Sequence, residues 1–244
     1  MKEGTVNYSK ELITAAEKLS RAVSGLTFSS PVAVVYNPLE YAWKAYCLYV
    51  EKFGNSKKQI IFLGMNPGPW GMAQTGVPFG EVEAAKDWLG IQTTVDKPKH
   101  THPKRPVEGF SCHRSEISGR RLWGLFKEKF QTAEHFSREH FVANYCPLVF
   151  MEESGRNRTP DKLKADERQV LFDLCDRHLR RVVEVLEPKW VIGAGGFTHN
   201  RALQALKSFR VHIGQILHPS PANPAANRDW PGTVTAQMMK LKIW

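Results

Sequence analysis

The stretch of residues 59–80 reads QIIFLGMNPGPWGMAQTGVPFG. Its first part, 59–63, is short and apolar, which predicts a buried β-strand. Its second part, 64–80, is rich in glycine and proline, which predicts a loop. In sheets of parallel strands, ligands bind beyond the carboxyl ends of the strands. The loop at 64–80 is therefore the first place to look for a functional site.

The rest of the chain alternates short apolar segments with amphipathic ones. Further strands are predicted at 141–145, 190–194 and 211–217. Helices are predicted at 12–26, 37–54, 122–130, 164–186, 198–209 and about 231–241. This alternation predicts an α/β fold with a parallel sheet covered on both faces. No internal repeat or second core is visible, so we expect residues 1–244 to form a single domain.

The chain is basic, with 34 Lys and Arg against 24 Asp and Glu and a net charge of +10. Such a charge favours a polyanionic partner, most often nucleic acid. The longest apolar runs, 31–36 and 60–63, are far shorter than the roughly 18–20 residues of a membrane span. The first four residues contain no apolar signal core. We expect an intracellular, monomeric protein with no membrane contact.

Several motifs do not support a cofactor or a metal. The four cysteines have no C-x-x-C pair and no zinc-like spacing, so reduced, mostly buried thiols are expected, with an iron–sulfur cluster as the alternative. Residues 193–196 read GAGG but lack the third glycine and the later acidic residue of a dinucleotide site, which predicts a tight strand-to-helix turn. His100 and His102 lie in the Lys- and Pro-rich loop 96–109, and we expect them on a solvated or phosphate-facing surface. The cysteines are Cys47, Cys112, Cys146 and Cys175.

A second loop, HPSPANPAANR at 218–228, begins where the last predicted strand ends. This loop and the loop at 64–80 resemble the two signature motifs of the uracil-DNA glycosylase superfamily, and more specifically its single-strand-selective monofunctional family (family 3). The segments HPKRPV, SEISG, NYCPL and SGRN also match that family, and the resemblance extends from about residue 30 onward. They occupy residues 102–107, 115–119, 144–148 and 154–157.

The resemblance implies a three-layer α/β/α sandwich around a short, mainly parallel four-stranded sheet. It also implies a hydrolase that removes uracil from DNA, leaves an abasic site, has no lyase activity and needs no cofactor. Asn66 matches the residue that positions the attacking water, a task that an amide can perform although it cannot take up a proton. His218 matches the residue that donates a hydrogen bond to the uracil oxygen as negative charge develops there.

The resemblance assigns a second group of residues to the uracil itself. Asn144 would read the base edge with its amide, and Phe79 would stack on the flipped base. Gly68 and Met72 would line the C5 edge, which leaves room for 5-hydroxymethyluracil as a further substrate. The complete set of expected substrate-binding residues is Gly64, Met65, Gly68, Met72, Phe79 and Asn144.

A third group is expected to contact DNA, whether single- or double-stranded. This chain departs from the best-known relatives at Ala222, where they carry Arg, so its methyl group would fill little of the stack that a flipped base leaves. The residue types leave three alternatives open: a glycosylase for another deaminated base such as hypoxanthine or xanthine, a non-catalytic damage-binding protein, and an RNA-modifying enzyme. The expected DNA-binding residues are Lys104, Arg105, Arg156, Ser220, Ala222, Asn223, Asn227 and Arg228.

Overall fold

A computed structural model describes residues 6–244, so the expectation about the first four residues lies outside the described part. The strands are β1 (Val34–Tyr36), β2 (Ile60–Gly64), β3 (His140–Asn144), β4 (Val149–Met151), β5 (Asn157–Arg158), β6 (Trp190–Ala194) and β7 (His212–Ile216). The α-helices are α1 (Tyr8–Ser24), α2 (Pro38–Tyr41), α3 (Trp43–Phe53), α4 (Met72–Thr75), α5 (Ile117–Phe130), α6 (Ala133–Ser137), α7 (Ala165–Leu186), α8 (Gly196–Ala205) and α9 (Ala226–Lys240).

The central sheet has four parallel strands in the order β3-β2-β6-β7, which confirms the predicted fold class. All five residues of β2 are buried, as expected for a strand covered on both faces. The strands end level with one another, since Gly64 pairs with Asn144 and Ala194 pairs with Ile216. The segments that follow β2, β3 and β7 therefore meet at one edge of the sheet.

The helices cover the sheet as two layers. In one layer α1 packs on α7, α7 on α8, and α8 on β6 and β7. In the other layer α5 packs on α6 and α9, while α6 contacts β3 and α9 contacts β7. The buried stripe of α1 is Leu12, Ala16, Leu19 and Val23, the apolar positions that predicted this helix. The result is the three-layer α/β/α arrangement.

The structure also contains a sheet that the sequence did not predict. Strands β1, β4 and β5 form a three-stranded sheet in which both strand pairs are antiparallel. These strands have three, three and two residues, too few to show an alternating pattern. The sheet carries its own small apolar cluster, which includes Tyr36, Val149 and Met151.

The segments 37–54 and 226–240 each contain a break in the helix. The segment 37–54 forms two helices, because the backbone turns at Ala42 (φ −108°, ψ 23°). Helix α9 consists of two helices joined at a kink at Asp229 (φ −151°, ψ 82°), and the second of them begins close to the predicted residue 231. Asp229 Oδ1 accepts the Gly232 backbone N–H (2.9 Å) and caps the second helix, and Pro231 lies in its first turn, where a proline costs no helical hydrogen bond. In residues 6–244 we find no helix with the length and apolarity of a membrane span.

Candidate active site

A cavity of about 450 Å³ opens at the carboxyl edge of the central sheet. The loop after β2, the end of β3 and the loop after β7 all contribute to its wall, as the strand ends predict. The lining residues are Met65, Asn66, Pro67, Gly68, Pro69, Phe79, Glu116, Ser118, Asn144, Asn157, Thr159, His218, Ser220, Ala222 and Asn223. The two expected catalytic residues thus share one cavity with the expected base-reading and stacking residues.

Asn66 is held in place by the segment that follows β3. The backbone N–H of Cys146 donates to the Met65 carbonyl (2.9 Å), so this segment runs beside the loop that carries Asn66. The Asn66 amide Nδ2 donates to the backbone carbonyls of Leu148 (3.1 Å) and Pro67 (3.4 Å). Both Nδ2 hydrogens are used in this way, so the amide oxygen is the group left to orient a water.

A hydrogen bond within the loop 218–228 fixes the tautomer of His218. Its Nδ1 accepts a hydrogen bond from the backbone N–H of Ser220 (3.1 Å). A neutral imidazole that accepts at Nδ1 carries its proton on Nε2, so Nε2 is the donor. Burial lowers the pKa of His218 below its ordinary value, which favours this neutral form.

The GAGG segment forms the predicted tight turn, and this turn lies against His218. Gly195 has φ +92°, a conformation that residues with a side chain rarely adopt. A Cβ placed on Gly195 would lie 3.1 Å from the Cβ of His218. The glycine therefore gives the histidine room.

Phe79 and Asn144 pack together over Gly64 at the end of β2. A Cβ placed on Gly64 would lie 2.4 Å from the Phe79 ring and 2.4 Å from Asn144 Oδ1. Phe79 has φ +52°, an unfavourable conformation for a residue with a side chain, and such strain is often found at functional sites. Asn144 Nδ2 donates to the Met72 sulfur (3.2 Å). Gly64 thus allows the close packing of these two side chains, while Met72 lies buried behind Asn144 and not in the cavity wall.

Glu116 is a cavity residue to which the sequence assigned no role. It precedes α5, and its carboxyl group lies against the first turn of that helix at Gly119. A Cβ on Gly68 would lie 1.9 Å from Glu116 Oε1, and a Cβ on Gly71 would lie 2.1 Å from Oε2. Burial, and secondly the nearby charge of Glu81, raise the pKa of Glu116 to about 7. Ser118, Asn157 and Thr159 are further wall residues that sequence reasoning missed.

Comparison with known proteins identifies the family. The sequence model of the uracil DNA glycosylase superfamily matches residues 51–242. The chain belongs to the uracil-DNA glycosylase superfamily. This confirms the family that the two loops indicate.

Similar proteins from mammals carry the name of the same family. Over 228 residues the chain is 46% identical to the single-strand selective monofunctional uracil DNA glycosylase of Bos taurus, an alignment that covers 93% of this chain and 84% of that one. It is 45% identical, again over 228 residues, to the protein of that name from Rattus norvegicus, with 93% and 82% covered. The crystal structure of SMUG2 from Pedobacter heparinus superposes with a TM-score of 0.73 at 15% identity over 98% of both chains, which shows the shared fold.

The second signature loop of the superfamily is braced from α5. Arg121 donates to the Pro219 carbonyl (2.8 Å) and to Asn227 Oδ1 (2.9 Å). Asn227 Nδ2 in turn donates to the Pro221 carbonyl (2.9 Å), so both ends of this amide are used within the protein. Ser220, Ala222 and Asn223 line the cavity, whereas Arg228 is exposed outside it. The bracing role of Arg121 has no signal in the sequence.

The basic loop 96–109 lies against the small sheet. Tyr36 accepts the His102 backbone N–H (2.8 Å) and donates to the Arg105 carbonyl (2.7 Å). A Cβ on Gly155 would lie 3.2 Å from Lys104 Cβ, so the exposed side chains of Lys104 and Arg156 occupy neighbouring segments. The Arg105 guanidinium lies 5.2 Å from the centre of the Trp70 ring, which Arg114 also approaches, at 4.5 Å.

The prediction for His102 is wrong. The structure places this side chain in the interior, only 2% exposed, with Nε2 between the backbone carbonyls of Glu152 (3.1 Å) and Glu153 (3.2 Å). His102 therefore fastens the basic loop to the hairpin of β4 and β5, while His100 is exposed. All four cysteines are free, and three of them are buried. Within residues 6–244 no three His, Cys, Asp or Glu side chains converge as metal ligands would.

Proposed function

We propose that this chain hydrolyses the N-glycosidic bond of uracil in DNA and leaves an abasic site, the first step of base-excision repair. The observation that carries the proposal is that Asn66 and His218 line one cavity with Phe79 and Asn144. A binding protein would need the last two residues but not the first two. Family membership and the names of the mammalian relatives support the same reaction.

The reaction follows from what each side chain can do. The bound uracil stacks on Phe79, which contributes about 1–3 kcal/mol, and the Asn144 amide pairs with its N3–H and O4. As the bond to the sugar breaks, the uracil gains negative charge, and His218 Nε2–H donates to the O2 oxygen. Asn66 orients a water through its amide oxygen but cannot accept the proton of that water. The uracil therefore departs first as an anion, water then attacks C1′ of the sugar cation, and the proton that this water loses passes to the uracil anion or to solvent.

The product is an intact abasic strand. A glycosylase with lyase activity uses an amine nucleophile to form a Schiff base with the sugar. Among the described residues that line the cavity there is no lysine. We expect borohydride reduction during the reaction to trap no covalent protein–DNA adduct.

The decisive experiment removes the two catalytic side chains. Asn66→Ala and His218→Ala should each slow single-turnover excision of uracil at least roughly 100-fold, because losing one oxyanion donor costs on the order of 3–4 kcal/mol. Asn55→Ala and His135→Ala, at exposed positions outside the cavity, are the matched controls. A near wild-type rate for Asn66→Ala would show that the mechanism is wrong.

The same assay separates the alternatives. Oligonucleotides with one hypoxanthine, xanthine or uracil, in DNA and in RNA, compare the substrate classes directly. Binding of uracil-containing DNA without alkali-labile product would indicate a damage-binding protein. We also propose 5-hydroxymethyluracil as a substrate, because Gly68 places no side chain of its own in the cavity wall.

We propose that the protein acts as an intracellular monomer on both single- and double-stranded DNA, with weak wedging of the duplex. The Ala222 side chain is exposed and short, so little of it can enter the stack that a flipped base leaves. Ala222→Arg should bind abasic duplex more tightly and release it more slowly, which lowers the steady-state rate on duplex. Single-turnover excision from single strands should change by less than about threefold. If Ala222→Arg binds abasic duplex no more tightly than the wild type, another segment fills the stack that the flipped base leaves.

A further inference from the structure

Trp70 lies beside the cavity and carries two arginines over its ring. It follows Pro69 of the cavity wall, and its side chain is partly exposed. The guanidinium carbon Cζ of Arg114 lies 4.5 Å from the centre of the Trp70 ring, and that of Arg105 lies 5.2 Å from it. Two residues after Arg114 the chain reaches Glu116, which is again in the cavity wall. We call Trp70, Arg105 and Arg114 the Trp70 cluster.

The protein does not neutralise the two arginines of this cluster. None of the ion pairs within residues 6–244 includes Arg105 or Arg114. Arg105 Nη1 donates to the Lys104 carbonyl (3.0 Å), but its Nε is buried and has no hydrogen-bond partner among the described residues. Stacking on an aromatic ring orients a guanidinium group while its charge and its in-plane N–H donors stay available. The cluster is therefore a preorganised site for an anion.

The Trp70 cluster continues a row of cations that starts at Arg156. Arg156 directly precedes a residue of the cavity wall. A Cβ on Gly155 would lie 3.2 Å from Lys104 Cβ, and Lys104 is the neighbour of Arg105 in the chain. The row thus begins and ends next to the cavity wall. Such a row suits the phosphates of a strand whose base lies in the cavity.

A nucleotide carries both of the groups that the Trp70 cluster suits. Its phosphate accepts hydrogen bonds from guanidinium groups, and an unpaired base stacks on an aromatic ring or on a guanidinium plane. The loop 218–228 contains no Phe, Trp or Tyr, so it offers a base no comparable surface. In the proposed function Phe79 stacks on the flipped uracil, which leaves Trp70 for the base next to it.

We propose that the Trp70 cluster binds the nucleotide next to the flipped uridine in a single strand of DNA. The base of this nucleotide stacks on the layer of Trp70 and Arg114, and Arg105 and Arg114 hold its phosphate. The inference rests on the proposed function, because the flipped uridine determines which nucleotide comes next to the cluster.

The Trp70 cluster favours single strands for a physical reason. In a duplex the neighbouring base is paired and stacked, so it must be unstacked at a cost in free energy before it reaches Trp70. In a single strand the base is free to stack on the protein. Trp70→Ala should therefore weaken the binding of single strands at least roughly fivefold and the binding of duplexes by less than about twofold.

The test removes one neighbouring base at a time. Single-stranded oligonucleotides carry one 2′-deoxy-2′-fluorouridine, whose glycosidic bond resists hydrolysis, and one abasic spacer, which keeps the phosphate but has no base. For the wild type, a spacer at one position adjacent to the uridine should weaken binding at least roughly fivefold, because a stacked base is lost. For Trp70→Ala the same spacer should change the affinity by less than about twofold, because the stacking partner is already absent.

Two further variants separate stacking from charge. Trp70→Phe keeps an aromatic ring, so the spacer should still weaken its binding at least roughly threefold. Arg114→Ala, at an exposed position, should flatten the dependence of the logarithm of single-strand affinity on the logarithm of salt concentration by about 0.7, because one phosphate contact is lost. Arg120→Ala is the matched control, because Arg120 is also exposed but does not line the cavity, and its slope should equal that of the wild type.

The outcomes separate this inference from the proposed function. If every spacer weakens binding by the wild type and by Trp70→Ala by the same factor, no base stacks on the Trp70 cluster and the inference is wrong. It is also wrong if Arg120→Ala flattens the salt dependence as much as Arg114→Ala, or if Trp70→Ala weakens duplex binding as much as single-strand binding. A wild-type protein that shows the spacer effect but removes no uracil from an ordinary deoxyuridine strand would support the cluster as a binding site and contradict the proposed function alone.

Discussion

At the scale of single residues, the ionisation of Glu116 makes the stability of the protein depend on pH. In the folded protein its carboxyl group has a pKa of about 7, above the ordinary value of 4.5. Between these pH values the native state binds more protons than the unfolded state. The contribution of protonated Glu116 to the free energy of unfolding is therefore complete below about pH 4.5 and is lost as the pH rises to 7. This shift in the pKa of Glu116 corresponds to about 3 kcal/mol in the free energy of unfolding.

We therefore predict that Glu116→Gln, which is neutral at every pH, gains stability over the wild type as the pH rises. The gain in free energy of unfolding should be larger at pH 8 than at pH 5 by about 2 kcal/mol. Urea unfolding at both pH values measures it, with the exposed Glu83→Gln as the control. An equal gain at the two pH values would contradict the raised pKa.

The sequence predicts some of the residues that line the cavity and misses others for a physical reason. Asn66 and His218 follow predicted strands at their carboxyl ends, where both chemistry and topology place a site. Glu116 precedes a helix, a position at which an acidic residue ordinarily interacts with the helix N-terminus. Its contact with Gly68 is visible only once the chain has folded.

At the scale of elements, the end of β2 positions Phe79 and Asn144 in the cavity wall. A methyl group at Gly64 would need the space of the Phe79 ring and of the Asn144 amide, each 2.4 Å away. Gly64→Ala should therefore displace both side chains and slow single-turnover excision of uracil at least tenfold, since a displacement of about 1 Å can cost as much as 100-fold. Gly196→Ala is the control, because a Cβ at Gly196 meets no atom within 4 Å. A Gly64→Ala rate within twofold of wild type would show that the packing over β2 does not position these groups.

The elements themselves were predictable where their apolar pattern was long enough. The five-residue strands of the central sheet and the long helix α7 (Ala165–Leu186) appear within a few residues of their predicted bounds. The three-stranded sheet escaped prediction because its strands pair only two or three residues each. Its position matters for function, because β5 brings Asn157 into the cavity wall and follows the turn that carries Arg156.

At the scale of the whole molecule, the net charge of +10 does not say where the polyanion binds. The fold shows only where the basic side chains lie relative to the cavity. Lys104 and Arg156 are exposed on adjacent segments, and Arg156 is followed directly by Asn157 of the cavity wall. Lys189 and Arg210 are exposed just before β6 and β7, at the opposite edge of the sheet. We therefore expect DNA to bind near the first pair and away from the second.

The salt dependence of binding tests this placement. For single-stranded DNA, the logarithm of affinity falls with the logarithm of salt concentration by about 0.7 for each phosphate that the protein neutralises. Replacing both Lys104 and Arg156 with Ala should flatten the slope by up to about 1.4, because two phosphate contacts are lost. Replacing both Lys189 and Arg210 with Ala removes the same charge but should leave the slope within error of wild type. If the two double variants flatten the slope equally, the net charge attracts DNA without a defined path, and the cavity edge has no special part in binding.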